Sequence, residues 1–579
     1  MILSSLTKCY EMLASQGKIP RQGWSPAKIS FALNLDRAGK LISVSYLCRE
    51  TETGKRKIMI PREMNLPAPV IRSSGIQSNF LWDHSAYLLG VDDKGKPERA
   101  RKCFEACKEK HRLVLAQAKG EAAQALSAFF ETWDPQQASE TPELQEYWGE
   151  LISGVNITFR VEGTFVSEDA SVCSAWQNCV EANGEEEKRC LVTGRYGKTA
   201  RLHPLIKGIA GAQSSGASLV SFNAASYWSY GKEQGKNAPV SEYAAFAYTS
   251  ALNYMLREER YHQRLGDTTL VYWVLDEEPF YMDLLAAVFG NEREEELTQG
   301  DLSSVMAALA KGNRVRYNGA EIQPEKPFYI LGLSPNAARL SVRFFSQNTF
   351  GAVMSNLERH YQDIEIVHGP EKKKYLSPWN LLMETINQKA REKKPNPRLA
   401  GDLLRAVLLG QPYPETLYRC ILLRIRAGDK VNYGRAAVIK GYLLRNGKNV
   451  DKEVLKVELN ENSNYTPYVL GRLFSVLEGL QQSANPGINA TIRDRYFSSA
   501  CATPAVIFPR LINLAQNHLR KLEGGLQGYY EKQLTELESR IAETLPVRLN
   551  LQEQGAFQLG YYHQTQKRYE KKEKRSEEN

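Results

Sequence analysis

The sequence lacks the features that mark membrane and secreted proteins. No uninterrupted apolar run in its 579 residues approaches the roughly 20 residues that span a bilayer. The N-terminal segment also lacks a basic start followed by a hydrophobic core and a cleavage site. The nine cysteines follow no framework spacing, which favours reduced thiols over disulfides. We therefore expect a cytoplasmic protein that has no membrane partner.

Common catalytic signatures are missing as well. The sequence has no Gly-x-x-x-x-Gly-Lys-Ser/Thr loop for nucleotide phosphates. It has no His-Asp pair or close carboxylate cluster of the kind that holds two metals for phosphodiester cleavage. Ser214 and Ser215 are not part of a Gly-x-Ser-x-Gly elbow. These absences favour a binding protein over an enzyme, and we expect neither catalytic residues nor a cofactor.

Metal ligation has two weak candidates in the sequence. The first is a predicted helix face on which Cys103, Cys107 and His111 recur at four-residue intervals, with no fourth ligand in view. The second is a set whose spacings fit no common zinc module: Cys173, Cys179, Cys190 and His203. We interpret the first set as half-buried helix residues and predict no metal site.

Positive charge is moderate in amount but clustered in the sequence. The formal net charge of +9 does not by itself establish nucleic-acid binding in a chain of this size. A single basic cluster is typical of a solvated surface, whereas several clusters on one surface bind phosphates. The clusters occupy residues 55–57, 99–102, 372–374, 391–394 and 567–575.

The central stretch, residues 190–256, interleaves small, cationic and aromatic residues more densely than the rest of the chain. Glycine and serine are frequent from 208 to 221, so the backbone can approach another molecule closely. Tyr227, Trp228 and Tyr230 offer flat faces for bases. The stretch ends in a predicted helix that is capped near Ser241. The alternative is a loop packed between sheet elements, with its aromatic residues in the core.

A second informative stretch is residues 71–92, where polar side chains surround Gly75 and precede Phe80 and Trp82. Asn and Gln offer paired donors and acceptors to adenine, and Arg offers two donors to guanine, so such a loop could read base edges. The alternative is a polar turn before a core strand, with Trp82 buried.

Both stretches resemble one family, the large subunit of the type I-C CRISPR surveillance complex, Cascade. The resemblance is carried by HPLIKGIAGAQSSGASLVSFN, by SYGKEQGKNAPVSEYAAFAYTSALN and by the pattern SGI-x-x-NFLWD-x-x-x-Y-x-LG from Ser74 to Gly90. It implies a non-catalytic subunit that recognises the protospacer-adjacent motif (PAM) in double-stranded DNA. It also implies that the subunit promotes duplex opening and R-loop formation and provides a platform for a recruited helicase-nuclease.

The same resemblance implies the partners. They are double-stranded target DNA, the displaced single strand, guide RNA held by companion subunits, the Cascade backbone, guide-processing and small subunits, and the recruited helicase-nuclease.

The predicted fold class is α+β. Apolar and polar residues alternate in ISFALNLD and KLISVSYL, IMIP is a possible third strand beside them, and further strand patterns occur up to FYILGLSPNAARLSVRFF. After Lys374 helical patterns dominate. We predict a mixed α/β N-terminal body with β-sheets over residues 1–375 and an all-α helical bundle over 376–560. By the resemblance, the bundle is like the Cascade small subunit; a charged, mobile tail over 561–579 follows.

Residue chemistry selects the candidate nucleic-acid-binding positions within these stretches. We assign motif reading to Arg72, Ser74, Gln77 and Asn79, and interpret Trp82 as a packing anchor. Binding of the nucleic-acid backbone is assigned to cationic and hydrogen-bonding residues: Lys55, Arg56, Lys57, Lys207, Gln213, Ser214, Ser215, Lys232, Gln234 and Lys236.

Two other functions remain open at this point. A nuclease acting on guide-RNA precursor or target DNA could use His203 and Lys207 as acid-base groups, since metal-free RNA cleavage can use such a pair. A scaffold that contacts protein alone would leave the cationic central stretch without a purpose.

Overall fold

The computed structural model describes residues 1–53, 56–70, 75–182, 187–275, 280–288, 299–317, 320–372, 375–541 and 543–577. The chain forms two compact units. The first contains Met1, Leu3–Pro204 and Ser221–Ala251, and the second contains Ile2, Leu205–Val220 and Leu252–Asn579. The central stretch is therefore divided between the units, and the division at residue 375 stays a prediction.

The first unit combines short strands with helices. Its strands are β1 (Trp24–Ile29), β2 (Phe31–Leu35), β3 (Leu41–Tyr46), β4 (Arg49–Thr53), β5 (Arg56–Ile60), β6 (Arg62–Pro67), β7 (Trp82–His84), β8 (Asn156–Val161), β9 (Thr164–Phe165), β10 (Glu187–Arg189) and β11 (Tyr196–Lys198). Its helices are α1 (Ile2–Ser15), α2 (Ser85–Leu88), α3 (Pro97–Leu115), α4 (Glu121–Thr132), α5 (Trp148–Ile152), α6 (Ala170–Ala182) and most of α7 (Glu242–Arg257).

The main sheet of the first unit has the order β3-β2-β8-β7, with β9 paired to β8. Strand β2 is buried along most of its length and pairs antiparallel with β3 and parallel with β8. The turn between β2 and β3 needs glycine, because Gly39 has φ of +83° and an added Cβ would lie 2.4 Å from the Ala125 carbonyl oxygen. The predicted IMIP strand does not join this sheet, since β5 pairs with β4 in a separate hairpin.

The second unit packs one antiparallel sheet against helices. Its strands are β12 (His262–Leu265), β13 (Thr268–Val274), β14 (Val315–Tyr317), β15 (Ala320–Ile322), β16 (Pro327–Asn336) and β17 (Arg339–Thr349). Its helices are α8 (Phe280–Val288), α9 (Gln299–Ala310), α10 (Phe350–Ile364), α11 (Pro378–Met383), α12 (Pro397–Leu408), α13 (Glu415–Arg426), α14 (Tyr433–Asn446), α15 (Thr466–Ala484), α16 (Ile492–Ala502), α17 (Pro504–Leu519), α18 (Gly525–Glu538) and α19 (Leu551–Glu577).

Close packing holds the second unit together. The sheet order is β12-β13-β16-β17, and every residue of β13 is buried. Helices α15 and α19 approach closely at two glycines: a Cβ on Gly471 would lie 1.9 Å from the Phe557 carbonyl oxygen, and one on Gly560 would lie 2.1 Å from that of Tyr468. Side chains larger than hydrogen do not fit at these contacts.

The predicted α+β class is confirmed, with small sheets in the N-terminal half and helices in the C-terminal half. Helix α19 crosses the predicted start of the tail at residue 561, and Tyr562 and His563 are buried. Mobility of the tail stays a prediction. Within the described ranges, no helix is both long enough and apolar enough to cross a membrane.

Candidate nucleic-acid interface

The polar loop before β7 presents its two amide side chains differently. Gln77 is exposed, whereas Asn79 is 4% exposed. The Asn79 Oδ1 accepts a hydrogen bond from the Val70 N–H at 3.0 Å, and the Asn79 N–H donates to the Asp83 Oδ2 at 2.9 Å. Asn79 therefore fixes the loop while Gln77 faces solvent, and base contact by Asn79 stays a prediction. Arg72 and Ser74 lie outside the described residues.

The aromatic residues that follow anchor the loop. Trp82 is buried and donates from Nε1 to the Pro67 carbonyl oxygen at 2.8 Å, as expected of a packing anchor. Phe80 is buried and stacks on Trp176, with ring centroids 5.1 Å apart. Leu81 has φ of +66°, a left-handed conformation that is unusual for leucine and is held by the surrounding hydrogen bonds.

His111 supports this loop from helix α3. Its Nε2 accepts the Leu81 N–H at 3.0 Å, so Nδ1 carries the proton and donates to the Cys107 carbonyl oxygen at 2.8 Å. Burial lowers the pKa of His111 to about 3, so the ring is neutral at pH 7. Both ring nitrogens of His111 are therefore engaged in hydrogen bonds within the protein. The face of α3 that carries Cys103, Cys107 and His111 is a packing surface. Among the described residues, no three His, Cys, Asp or Glu side chains converge as metal ligands.

A cationic groove adjoins the exposed part of the loop. It has a volume of about 520 Å³, and Ile76 lies in its wall beside residues from the start of α3: Lys96, Pro97, Glu98, Arg99 and Lys102. The three cations are exposed, and none of them forms an ion pair with the described part of the chain. The sequence identified the cluster at 99–102 but could not show that it adjoins Ile76.

Asp83 is the buried acceptor on which the loop depends. It is 1% exposed and accepts the N–H groups of Asn79 at 2.9 Å and His84 at 3.0 Å. Asp83→Ala leaves these buried donors unpaired, so we expect the unfolding free energy of the first unit to fall by about 2–4 kcal/mol. Urea denaturation measures the loss, and hydrogen exchange over residues 75–84 should increase. Asp92→Ala, at a more exposed turn, is the control; equal losses in both variants would contradict the role of Asp83.

The first-unit part of the central stretch contains an exposed loop, residues 223–237, which we name the aromatic loop. Its aromatic side chains are exposed by 46% at Tyr227, 41% at Trp228 and 98% at Tyr230. The alternative interpretation, in which these three aromatic residues pack in a core, is therefore wrong. Lys232 and Lys236 are exposed on the same loop, and neither forms an ion pair with any described residue.

Gln234 and the helix after the aromatic loop have structural contacts. The half-buried Gln234 accepts a hydrogen bond from Arg201 Nη1 at 3.1 Å. The predicted contact of Gln234 with the nucleic-acid backbone therefore competes with this hydrogen bond. Ser241 caps α7 as the sequence predicted, since its Oγ accepts the Ala244 N–H at 3.2 Å.

The second-unit part of the central stretch forms a loop closed by an antiparallel bridge. Ile206 and Ala217 exchange backbone hydrogen bonds of 2.9 and 2.8 Å. Ser218 then pairs with the β16–β17 turn through hydrogen bonds to the backbones of Ala338 and Leu340. The loop carries four exposed predicted residues: Lys207, Gln213, Ser214 and Ser215. Their contact with DNA stays a prediction.

The remaining predicted residues are only partly described. Lys55 lies outside the described residues, and Arg56 and Lys57 begin β5. His203, proposed as an acid-base group, lies 2.7 Å from the Tyr248 hydroxyl through Nδ1, and burial lowers its pKa. It belongs to the first unit and Lys207 to the second. Their catalytic pairing stays a prediction.

Comparison with known proteins gives the class of the chain. A model for a CRISPR-associated protein matches residues 6–569, which is nearly the whole chain. The chain belongs to this family, Cas_Csd1, and the resemblance to the type I-C Cascade large subunit is confirmed. A search of curated proteins found no match.

Proposed function

We propose that the chain is the non-catalytic Cascade subunit that recognises the PAM in double-stranded DNA and promotes R-loop formation. The observation that carries this proposal is the exposed Gln77 next to Ile76, which lines the groove containing Lys96 and Arg99. Glutamine can pair with the edge of adenine, and cations bind phosphates and fix the register of a duplex. Both kinds of side chain thus lie in one region of the first unit.

The proposed division of labour follows from the chemistry of each partner. Pairing with guide RNA on companion subunits reads the target, while this chain reads a short duplex tag and the DNA backbone. The chain would then contact the backbone, guide-processing and small subunits and offer a platform to the helicase-nuclease. We place this work in the cytoplasm.

The direct test is a gel-shift titration of the assembled complex, with and without this chain, on duplexes that differ in the trinucleotide beside the target. Discrimination among trinucleotides that appears only when the chain is present supports the proposal. Discrimination that persists without the chain overturns it.

Gln77→Ala should weaken preference for the cognate motif. Losing one two-point base contact costs about 1–3 kcal/mol, or roughly five- to a hundredfold in relative affinity. Competition gel shifts with cognate and altered duplexes measure this ratio. Gln117→Ala, at another exposed glutamine of the first unit, is the matched control. Unchanged motif preference in Gln77→Ala would remove the assignment of this residue.

We also propose that the chain has no catalytic activity. Purified chain is incubated with labelled guide-RNA precursor and target DNA, with and without divalent metal. We expect both nucleic acids to remain intact. Cleavage that disappears in His203→Gln would support the nuclease alternative instead.

A further inference from the structure

We propose that the aromatic loop is a binding site for unpaired DNA bases, with the ring of Tyr230 as its stacking surface. The inference deepens the proposed function, on which its biological context rests, by naming single-stranded DNA as the ligand of this loop. Its starting observation is the 98% exposure of Tyr230. Tyrosine normally buries much of its ring, so a ring held entirely in solvent is a candidate contact surface.

The backbone holds Tyr230 in this position against its intrinsic preference. Its φ of +53° lies in the left-handed region, which is disfavoured for residues with a Cβ. Ser229 and Lys232 form a bridge around it, and the Asn237 Oδ1 accepts the Ser229 N–H at 2.8 Å. The Asn237 Nδ2 donates to the carbonyl oxygens of Lys232 and Gln234 at 2.8 and 2.9 Å. Strain that is maintained by several contacts is typical of functional sites.

The base of the loop is fixed to a neighbouring segment. The Gly235 N–H donates to the Arg201 carbonyl oxygen at 3.1 Å, and a Cβ on Gly235 would lie 1.9 Å from the Ala200 carbonyl oxygen. The Trp228 Nε1 donates to the Phe222 carbonyl oxygen at 3.3 Å. These contacts order the loop before any ligand arrives, which lowers the entropic cost of binding.

Charge and shape favour an unpaired strand over other ligands. Lys232 and Lys236 follow the exposed rings on the same loop and are available for phosphates, since the described residues offer them no ion-pair partner. Aromatic faces with interspersed cations are the usual means of binding single strands without sequence preference. In a duplex the faces of the bases are covered by their neighbours, so a stacking site selects unpaired DNA.

The test uses the purified full-length chain and a single-stranded oligodeoxynucleotide containing 2-aminopurine, whose fluorescence falls when the base stacks. The wild type and Tyr230→Phe should both quench it. Tyr230→Gly should abolish the quenching and weaken single-strand affinity about five- to a hundredfold. Glycine suits the positive φ, so this variant keeps the loop conformation. Tyr196→Ala, at a tyrosine that is 73% exposed in the same unit, is the matched control.

Three results would overturn the inference: unchanged quenching and affinity in Tyr230→Gly, an equal loss for the corresponding duplex, or an equal loss in Tyr196→Ala. The measurement needs no guide RNA and no adjacent motif. A failure of motif reading in the Gln77 experiment therefore leaves this result intact, and a failure of stacking leaves motif reading intact.

Discussion

Replacing Lys96, Arg99 and Lys102 together with alanine is expected to make duplex binding markedly less dependent on salt. Each phosphate that a cation neutralises releases condensed counterions, and the slope of log K against log salt changes by about 0.9 per contact. If all three groove cations bind phosphates, the slope flattens by roughly 3 and affinity at low salt falls by orders of magnitude. Gel shifts across a salt series measure both quantities.

A variant with the same change of charge separates the groove from a general effect. Lys448, Lys452 and Lys456 are exposed lysines of the second unit, and their joint replacement with alanine also removes three positive charges. We expect this control to change the slope little. Equal flattening in both triple variants would show that total charge, rather than the groove, governs binding. The preference for the cognate motif should survive in the groove variant, because phosphates carry no base identity.

Acid should destabilise the second unit more steeply than the first. Burial, together with a smaller effect of nearby cations, lowers the pKa of His111, His360 and His563 to about 3 each. Their unfolded value is about 6.5, so between about pH 6.5 and 3 the unfolded chain binds protons that the folded chain does not. Stability is complete above this range and is lost as pH falls, by up to roughly 1.4 kcal/mol per pH unit for each histidine.

The two units differ in how many such histidines they contain. His111 is in the first unit, whereas His360 and His563 are in the second, where they contact the hydroxyls of Tyr413 and Tyr468. Urea denaturation at several pH values, followed by hydrogen exchange in each unit, should give a steeper slope for the second unit. His563→Gln should flatten that slope. Equal slopes in wild type and variant would contradict the assignment.

Local patterns predicted most of the fold, but they did not predict which strands pair. The alternation in β2 and β3 and the turn at Gly39 were readable, because neighbouring residues determine both. The parallel pairing of β2 with β8 joins Phe31 to Ile157, and no local pattern encodes such a distant contact. The prediction that IMIP lies beside β2 and β3 was wrong for the same reason. Its apolar residues favour an extended conformation but do not specify which strand it pairs with.

In the candidate site, too, the sequence predicted the residue types but not their surroundings. The sequence indicated that residues 77–79 are polar and contain two amide side chains, but nothing in the sequence distinguishes the environment of Gln77 from that of Asn79. Only the fold decides that Asn79 faces Asp83 and Val70 while Gln77 faces solvent. Likewise, the sequence allowed the aromatic residues of the aromatic loop to be either a contact surface or part of a core. The structure shows that Tyr230 lies outside the core.

The sequence by itself determined the α+β class, membership of the Cas_Csd1 family and the interleaving of aromatic and cationic residues, since all three are properties of adjacent or regularly spaced residues. The tertiary structure alone decided that Ile76 adjoins Lys96, that the central stretch is divided between two units and that Tyr230 is exposed. These facts depend on which distant surfaces pack together, and packing is a property of the whole chain.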